Sequence, residues 1–134
     1  MIDCLILGDS IAVGTQRFYN ECAIVGKGGI NSWQFNKNYE GIFKSKIVVI
    51  SLGSNDHFGV STKKELQKVR DRVDPTAKVF WIMPAIKPNV QDIVKLIAEE
   101  HDDKIIYINH LQPDKIHPSW NGYKDIVNQV KNGN

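Results

Sequence analysis

The sequence predicts a three-layer α/β/α sandwich built on a five-stranded parallel sheet, and two observations carry that prediction. Five short runs, Ile2–Leu7, Cys22–Val25, Lys46–Leu52, Lys78–Met83 and Ile105–Ile108, are β-branched and almost continuously apolar. Such runs suit strands covered on both faces. Helical patterns alternate with them, and a strand–helix–strand succession implies right-handed crossovers that place helices on both sides of the sheet.

Taken in order, the elements explain themselves. The first strand runs into Gly8-Asp9-Ser10, a strand-to-helix turn, and the second into Gly26-Lys27-Gly28-Gly29. The third ends in Gly53-Ser54-Asn55-Asp56-His57. Thr62-Lys63-Lys64-Glu65 then has the form of a capping box, and Leu66, Val69 and Val73 make one apolar face before Asp74-Pro75 stops the helix. After the fourth strand and Pro88-Asn89, Val90, Ile93, Val94, Ile97 and Ala98 recur at helical spacing. The fifth strand leads to Asp114-Lys115-Ile116-His117-Pro118. A last helix starts near Pro118-Ser119, with Tyr123, Ile126, Val127 and Val130 on one side.

The 134 residues suit one domain, with no internal repeat, linker or low-complexity tract. Hydrophobic residues make up 42% and charged ones 24%, which excludes disorder as the main reading. Net charge is +2, and acidic and basic groups stay balanced along the chain, so no basic or acidic block marks a nucleic-acid or anionic-membrane partner. Apolar runs such as Ile47-Val48-Val49-Ile50 are too short to span a bilayer, and no secretory signal pattern is evident, so a cytoplasmic location is expected. Cys4 and Cys22 form neither a disulfide framework nor a zinc pattern and read as two reduced core residues.

The polar and glycine-rich clusters fall at strand ends, where open α/β sheets hold their ligands. Ser10 at the head of a helix would present its hydroxyl to that crevice, and the helix N-terminus favours developing negative charge. A serine needs a base, and His117 has Asp114 three residues before it to fix its tautomer and stabilise the imidazolium. Gly29 and Asn55 suit an oxyanion hole, the first through a close backbone N–H and the second through its amide. Singly, each cluster reads as an ordinary turn: a serine-capped helix start, a surface Asp-x-x-His, a flexible glycine loop. Their order along the chain makes the chemistry.

These four clusters resemble the blocks of the SGNH/GDSL hydrolase superfamily, from Leu7 to Tyr123. Gly8-Asp9-Ser10 resembles the nucleophile block, Gly28-Gly29-Ile30-Asn31-Ser32 the second and Gly53-Ser54-Asn55-Asp56 the G-x-N-D block. Asp114-Lys115-Ile116-His117 and the residues on to Tyr123 resemble the last. The resemblance implies a flavodoxin-like sandwich and a serine esterase that cleaves short acyl or acetyl esters through an acyl-enzyme. It implies Ser10, Asp114 and His117 as catalytic residues. The Ser10 and Gly29 N–H groups with the Asn55 amide would make the oxyanion hole, Gly28 being the alternative glycine. Ile30-Asn31 replaces the family's usual Asp-Thr pair, and Ala12 replaces the second glycine of the α/β-hydrolase G-x-S-x-G turn.

Asp9, Gly28, His57 and Trp120 are further candidates for substrate contact. Trp33, Trp81 and Trp120 are expected in the core or the crevice wall, His101 is read as structural, and His110, in the loop after the fifth strand, is a minor alternative to His117 as base. A metal held by Asp56, His57, Asp114 and His117 is a minor alternative, since their spacing is generic; no metal and no cofactor are expected. The expected partner is a small-molecule or carbohydrate-borne ester, met in a shallow crevice, with no nucleic acid and no membrane insertion. The competing reading is a non-catalytic carbohydrate- or partner-binding module on the same fold.

Overall fold

The computed structural model describes residues 3–133, so Ile2, placed in the first strand from sequence, lies outside the described residues. Five strands, β1 (Cys4–Gly8), β2 (Ala23–Gly26), β3 (Ile47–Ser51), β4 (Lys78–Ile82) and β5 (Lys104–Ile106), form one sheet in the order β2-β1-β3-β4-β5. Every pairing is parallel. The helices between them are α1 (Ser10–Arg17), α2 (Ser32–Asn38), α3 (Thr62–Asp71), α4 (Pro88–His101) and α5 (Trp120–Gly133).

Alternation along the strands builds two cores. Leu5, Leu7, Val48, Ile50 and Trp81 pack with Phe35 of α2, Leu66 and Val69 of α3, and Val94 and Ile97 of α4. Cys4, Ile6, Val49, Phe80 and Ile82 pack on the other face with Ile11 and Ala12 of α1 and Ile126, Val127 and Val130 of α5. The three layers follow from that division. The order reverses between β1 and β3, which makes the carboxyl ends of these two strands the switch point where a ligand crevice opens.

Three local expectations change. Cys4 and Cys22 are not reduced: they form a disulfide, both partners buried. Leu5 pairs with Ala23 in the β1–β2 register, so the preceding residues face each other, a proximity that sequence spacing cannot show. Thr62 does not cap α3. The N-cap is Ser61, without a side-chain bond, while the Thr62 hydroxyl donates to Asp56 and Glu65 accepts from Asn36. A capping box forms instead at α2, where Asn31 and Gln34 exchange bonds. β5 begins and ends earlier than expected, because past Ile106 the backbone turns to α5, Tyr107 bonding twice to Gln129.

Candidate active site

The turn after β1 depends on Gly8. Its φ is +141°, and a Cβ there would fall 1.8 Å from the Ser51 carbonyl oxygen of the adjacent β3. With the chain so tightly held, the Asp9 N–H donates to that same oxygen at 3.0 Å and α1 begins at Ser10. The cap is Asp9, not Ser10: its carboxylate accepts from Ile11 and Ala12 N–H and from the Ser51 hydroxyl. Asp9 is fully buried, which corrects the expectation of substrate contact for it. Burial pushes its carboxyl up to about 6, against the opposing pull of those hydrogen bonds.

Relieved of the capping duty, the Ser10 hydroxyl donates to His117 Nε2 at 3.0 Å. The His117 Nδ1–H donates to Asp114 Oδ2 at 2.7 Å. Asp114 Oδ1 meanwhile accepts from the Ile116 and His117 backbone N–H groups, an arrangement that local chain geometry produces with Lys115 at φ 60°. Those two N–H bonds, then the histidine ring, hold the Asp114 carboxyl down to about 2, so it stays ionised beside the imidazole. Gln112 fastens the loop from outside, its N–H on the His117 carbonyl and its amide on the Pro118 carbonyl.

The other two clusters are drawn to the same strand ends. Lys27 N–H donates to Gly8 O, and Gly28 lines the crevice with its Cα facing the Ser10 side chain. Gly29 has φ +80° and open space before it. Asn55 donates one amide hydrogen to the Ile30 carbonyl at 3.0 Å, which ties the third cluster to the second and leaves its other hydrogen unused by that bond. Two supports escaped the sequence reading. Buried Asp56 accepts from the Ser32 N–H and hydroxyl and from Thr62, locking α2 to this loop. Lys87 reaches from the start of α4 to the carbonyls of Ser54 and Asp56, at 2.8 and 2.5 Å, on either side of Asn55. Its φ of 66° is a conformation a lysine adopts only under constraint, the one local sign that this residue has a duty.

His57 does not join the site. Its Nδ1 accepts from Gly59 N–H, and it lines a separate depression with Phe58, Lys87 and Asn89, which corrects its candidacy for substrate contact at the serine. The same separation leaves the four residues weighed for a metal apart, and among the described residues no group of three His, Cys, Asp or Glu is placed to hold one. Trp120 lines the crevice with Ser10, Gly14, Arg17, Phe18 and His117. The cavity measures about 570 Å3 and opens to solvent, Trp120 being 76% exposed at its wall. Trp81 lies in the core, whereas Trp33 sits exposed on α2 under the Lys37 ammonium, in neither expected place. No described helix is long and apolar enough to cross a membrane.

No family model and no curated protein matches the sequence. Solved structures do match the fold. A member of the lipolytic protein G-D-S-L family from Veillonella parvula DSM 2008 aligns with a TM-score of 0.69 at 14% identity, covering 98% of this chain and 97% of the other. A candidate acylhydrolase from Bacteroides fragilis NCTC 9343 aligns at 0.63 with 20% identity, over 98% and 85%. The catalytic domain of peptidoglycan O-acetyltransferase A from Streptococcus pneumoniae, carrying a methylsulfonyl adduct, aligns at 0.63 with 16% identity, over 97% and 90%. With this strand order and near-complete overlap, the chain has the SGNH/GDSL hydrolase fold.

Proposed function

We propose that the chain is a serine acyl hydrolase acting on short esters, and the observation that carries the reading is the Ser10–His117–Asp114 hydrogen-bonded chain at the end of β1. His117 with its proton on Nδ1, toward Asp114, leaves Nε2 free to take the Ser10 proton. Ser10 Oγ attacks the ester carbonyl, and the charge on the carbonyl oxygen is met by the Ser10 and Gly29 N–H groups, Gly28 being the alternative, and by the free hydrogen of the Asn55 amide. The tetrahedral species collapses, His117 returns the proton to the departing alcohol, and water then releases the acyl group by the same roles in reverse. Asp114, ionised throughout, stabilises the imidazolium in both halves.

The test is hydrolysis of 4-nitrophenyl acetate by wild type and Ser10→Ala, with a phosphonofluoridate as probe of the nucleophile. Activity and labelling that vanish with Ser10 support the hydrolase, while equal rates in the two proteins end it. A binding module would take up no label. Asn55→Ala should lower turnover by about two to three powers of ten, as loss of one oxyanion donor does elsewhere.

The place of action divides on the cysteines. The expected cytoplasm keeps thiols reduced, whereas a disulfide such as Cys4–Cys22 persists in oxidising compartments. The bond favours an oxidising site of action. Counting free thiols on the denatured protein taken from its native host decides it, since two reactive thiols would restore the cytoplasmic reading.

A further inference from the structure

Ser10, Val13, Gly14, Arg17 and Phe18 recur at helical spacing, so one face of α1 forms a continuous wall of the crevice. Seven residues at the helical rise set Arg17 roughly 10 Å along that wall from the nucleophile, a distance a hexose bearing its ester can bridge. The opposite wall is aromatic. Tyr123 lies so close that a Cβ on Gly14 would fall 2.4 Å from its ring, Phe18 stacks on Tyr123 at 5.7 Å, and Phe18 braces the exposed Trp120 edge-on at 6.5 Å.

Arg17 is exposed and makes no hydrogen bond or ion pair among the described residues, and no acidic side chain lines the cavity. A cation kept only to complement the carboxyl end of α1 would not need to stand in the crevice. A guanidinium there offers a planar pair of donors suited to an oxyanion. The carbonyl end of α1 beside it carries partial negative charge, which opposes a doubly charged phosphate and tolerates a singly charged carboxylate.

We propose that the crevice holds a subsite for a carboxylate-bearing sugar, with Arg17 pairing the carboxylate and Trp120 packing the ring while the ester reaches Ser10. This rests on the serine hydrolase reading. The experiment compares kcat/KM for the acetyl ester of a methyl glucuronoside with that of the matching methyl glucoside, which differ only in the carboxylate. Wild type should prefer the glucuronoside by about tenfold, the value of one charged hydrogen-bonded contact. That preference should lie in KM, shrink in 0.5 M salt, fall to about one in Arg17→Gln and survive in part in Arg17→Lys. Equal rates on the two esters in wild type, or a preference untouched by Arg17→Gln, overturn the subsite while leaving the hydrolase standing.

Calorimetric titration with the unacetylated glycosides needs no turnover, and matching thermal melts establish that Arg17→Gln is folded. If neither ester is cleaved and Ser10 takes no label, the hydrolase reading falls, and this titration still decides the subsite. Tighter glucuronoside binding that Arg17→Gln abolishes supports it, and equal binding of the two glycosides overturns it.

Discussion

Asp9 is the residue where position in the motif and physical role part company. Its carboxyl is buried, its Oδ2 has no hydrogen-bond partner, and its pKa rises to about 6 from an ordinary 3.8. The folded state therefore holds a proton that the unfolded chain has released between about pH 4 and 6, and stability falls as pH rises through that window. Above it the loss is complete, on the order of 3 kcal/mol. Asp9→Asn cannot titrate, so the difference between the urea-unfolding profiles of wild type and Asp9→Asn should decline from pH 4 to 6 and then level. A flat difference would mean Asp9 is ionised throughout. Nothing between Gly8 and Ser10 distinguishes a buried cap from a substrate contact, because the decision is made by Ser51, 42 residues away. Ser10, Asp114 and His117 were legible for the opposite reason: each sits at a strand end or in a local turn that nearby sequence already describes.

At the scale of elements, the strands and the long amphipathic helices could be read because burial on one or both faces writes its period into the sequence. α2 was not read as a helix, being seven residues long with Trp33 outside the core; Asn31-x-x-Gln34 was the signal available for it. The loop between β4 and α4 shows what such reading misses. Lys87 holds the backbone on both sides of Asn55 through two charged bonds, and if Asn55 serves the proposed oxyanion hole, Lys87 would position it. Lys87→Gly would lose those bonds while relieving the positive φ, so stability and catalysis should separate. We expect a melting temperature close to wild type and a kcat lower by about tenfold, the equivalent of about 1.4 kcal/mol, with KM little changed. Lys87→Arg should recover part of the rate. A parallel fall in melting temperature and rate would reduce Lys87 to a merely structural role.

The whole molecule is tied by two linkages that no periodicity announces. Asp103, at the end of α4, takes Arg70 of α3 in a two-bond pair at 2.7 and 3.0 Å and also accepts from the Trp81 indole of β4. The pair is almost wholly buried, so Asp103→Ala leaves an uncompensated guanidinium and should cost about 3 to 5 kcal/mol in urea unfolding. The disulfide is the second. Closing a loop over a separation of 18 residues contributes about 3 kcal/mol in the chain-entropy account, so Cys4→Ala/Cys22→Ala should unfold at lower urea with its hydrolytic rate constant intact. The bond lies at the amino end of β1 and Ser10 follows its carboxyl end, so the stabilising staple stands a strand's length from that serine.

That bond also encloses something. Cys4 and Cys22 bracket β1, Ser10 and the whole of α1 with Arg17, so Ser10 and its helix sit inside a covalent ring. The turn that closes the ring carries exposed Asn20 and Glu21, the kind of surface where proteases nick a chain. A cut there would not release the segment that carries Ser10, which would stay tethered to the remainder through sulfur.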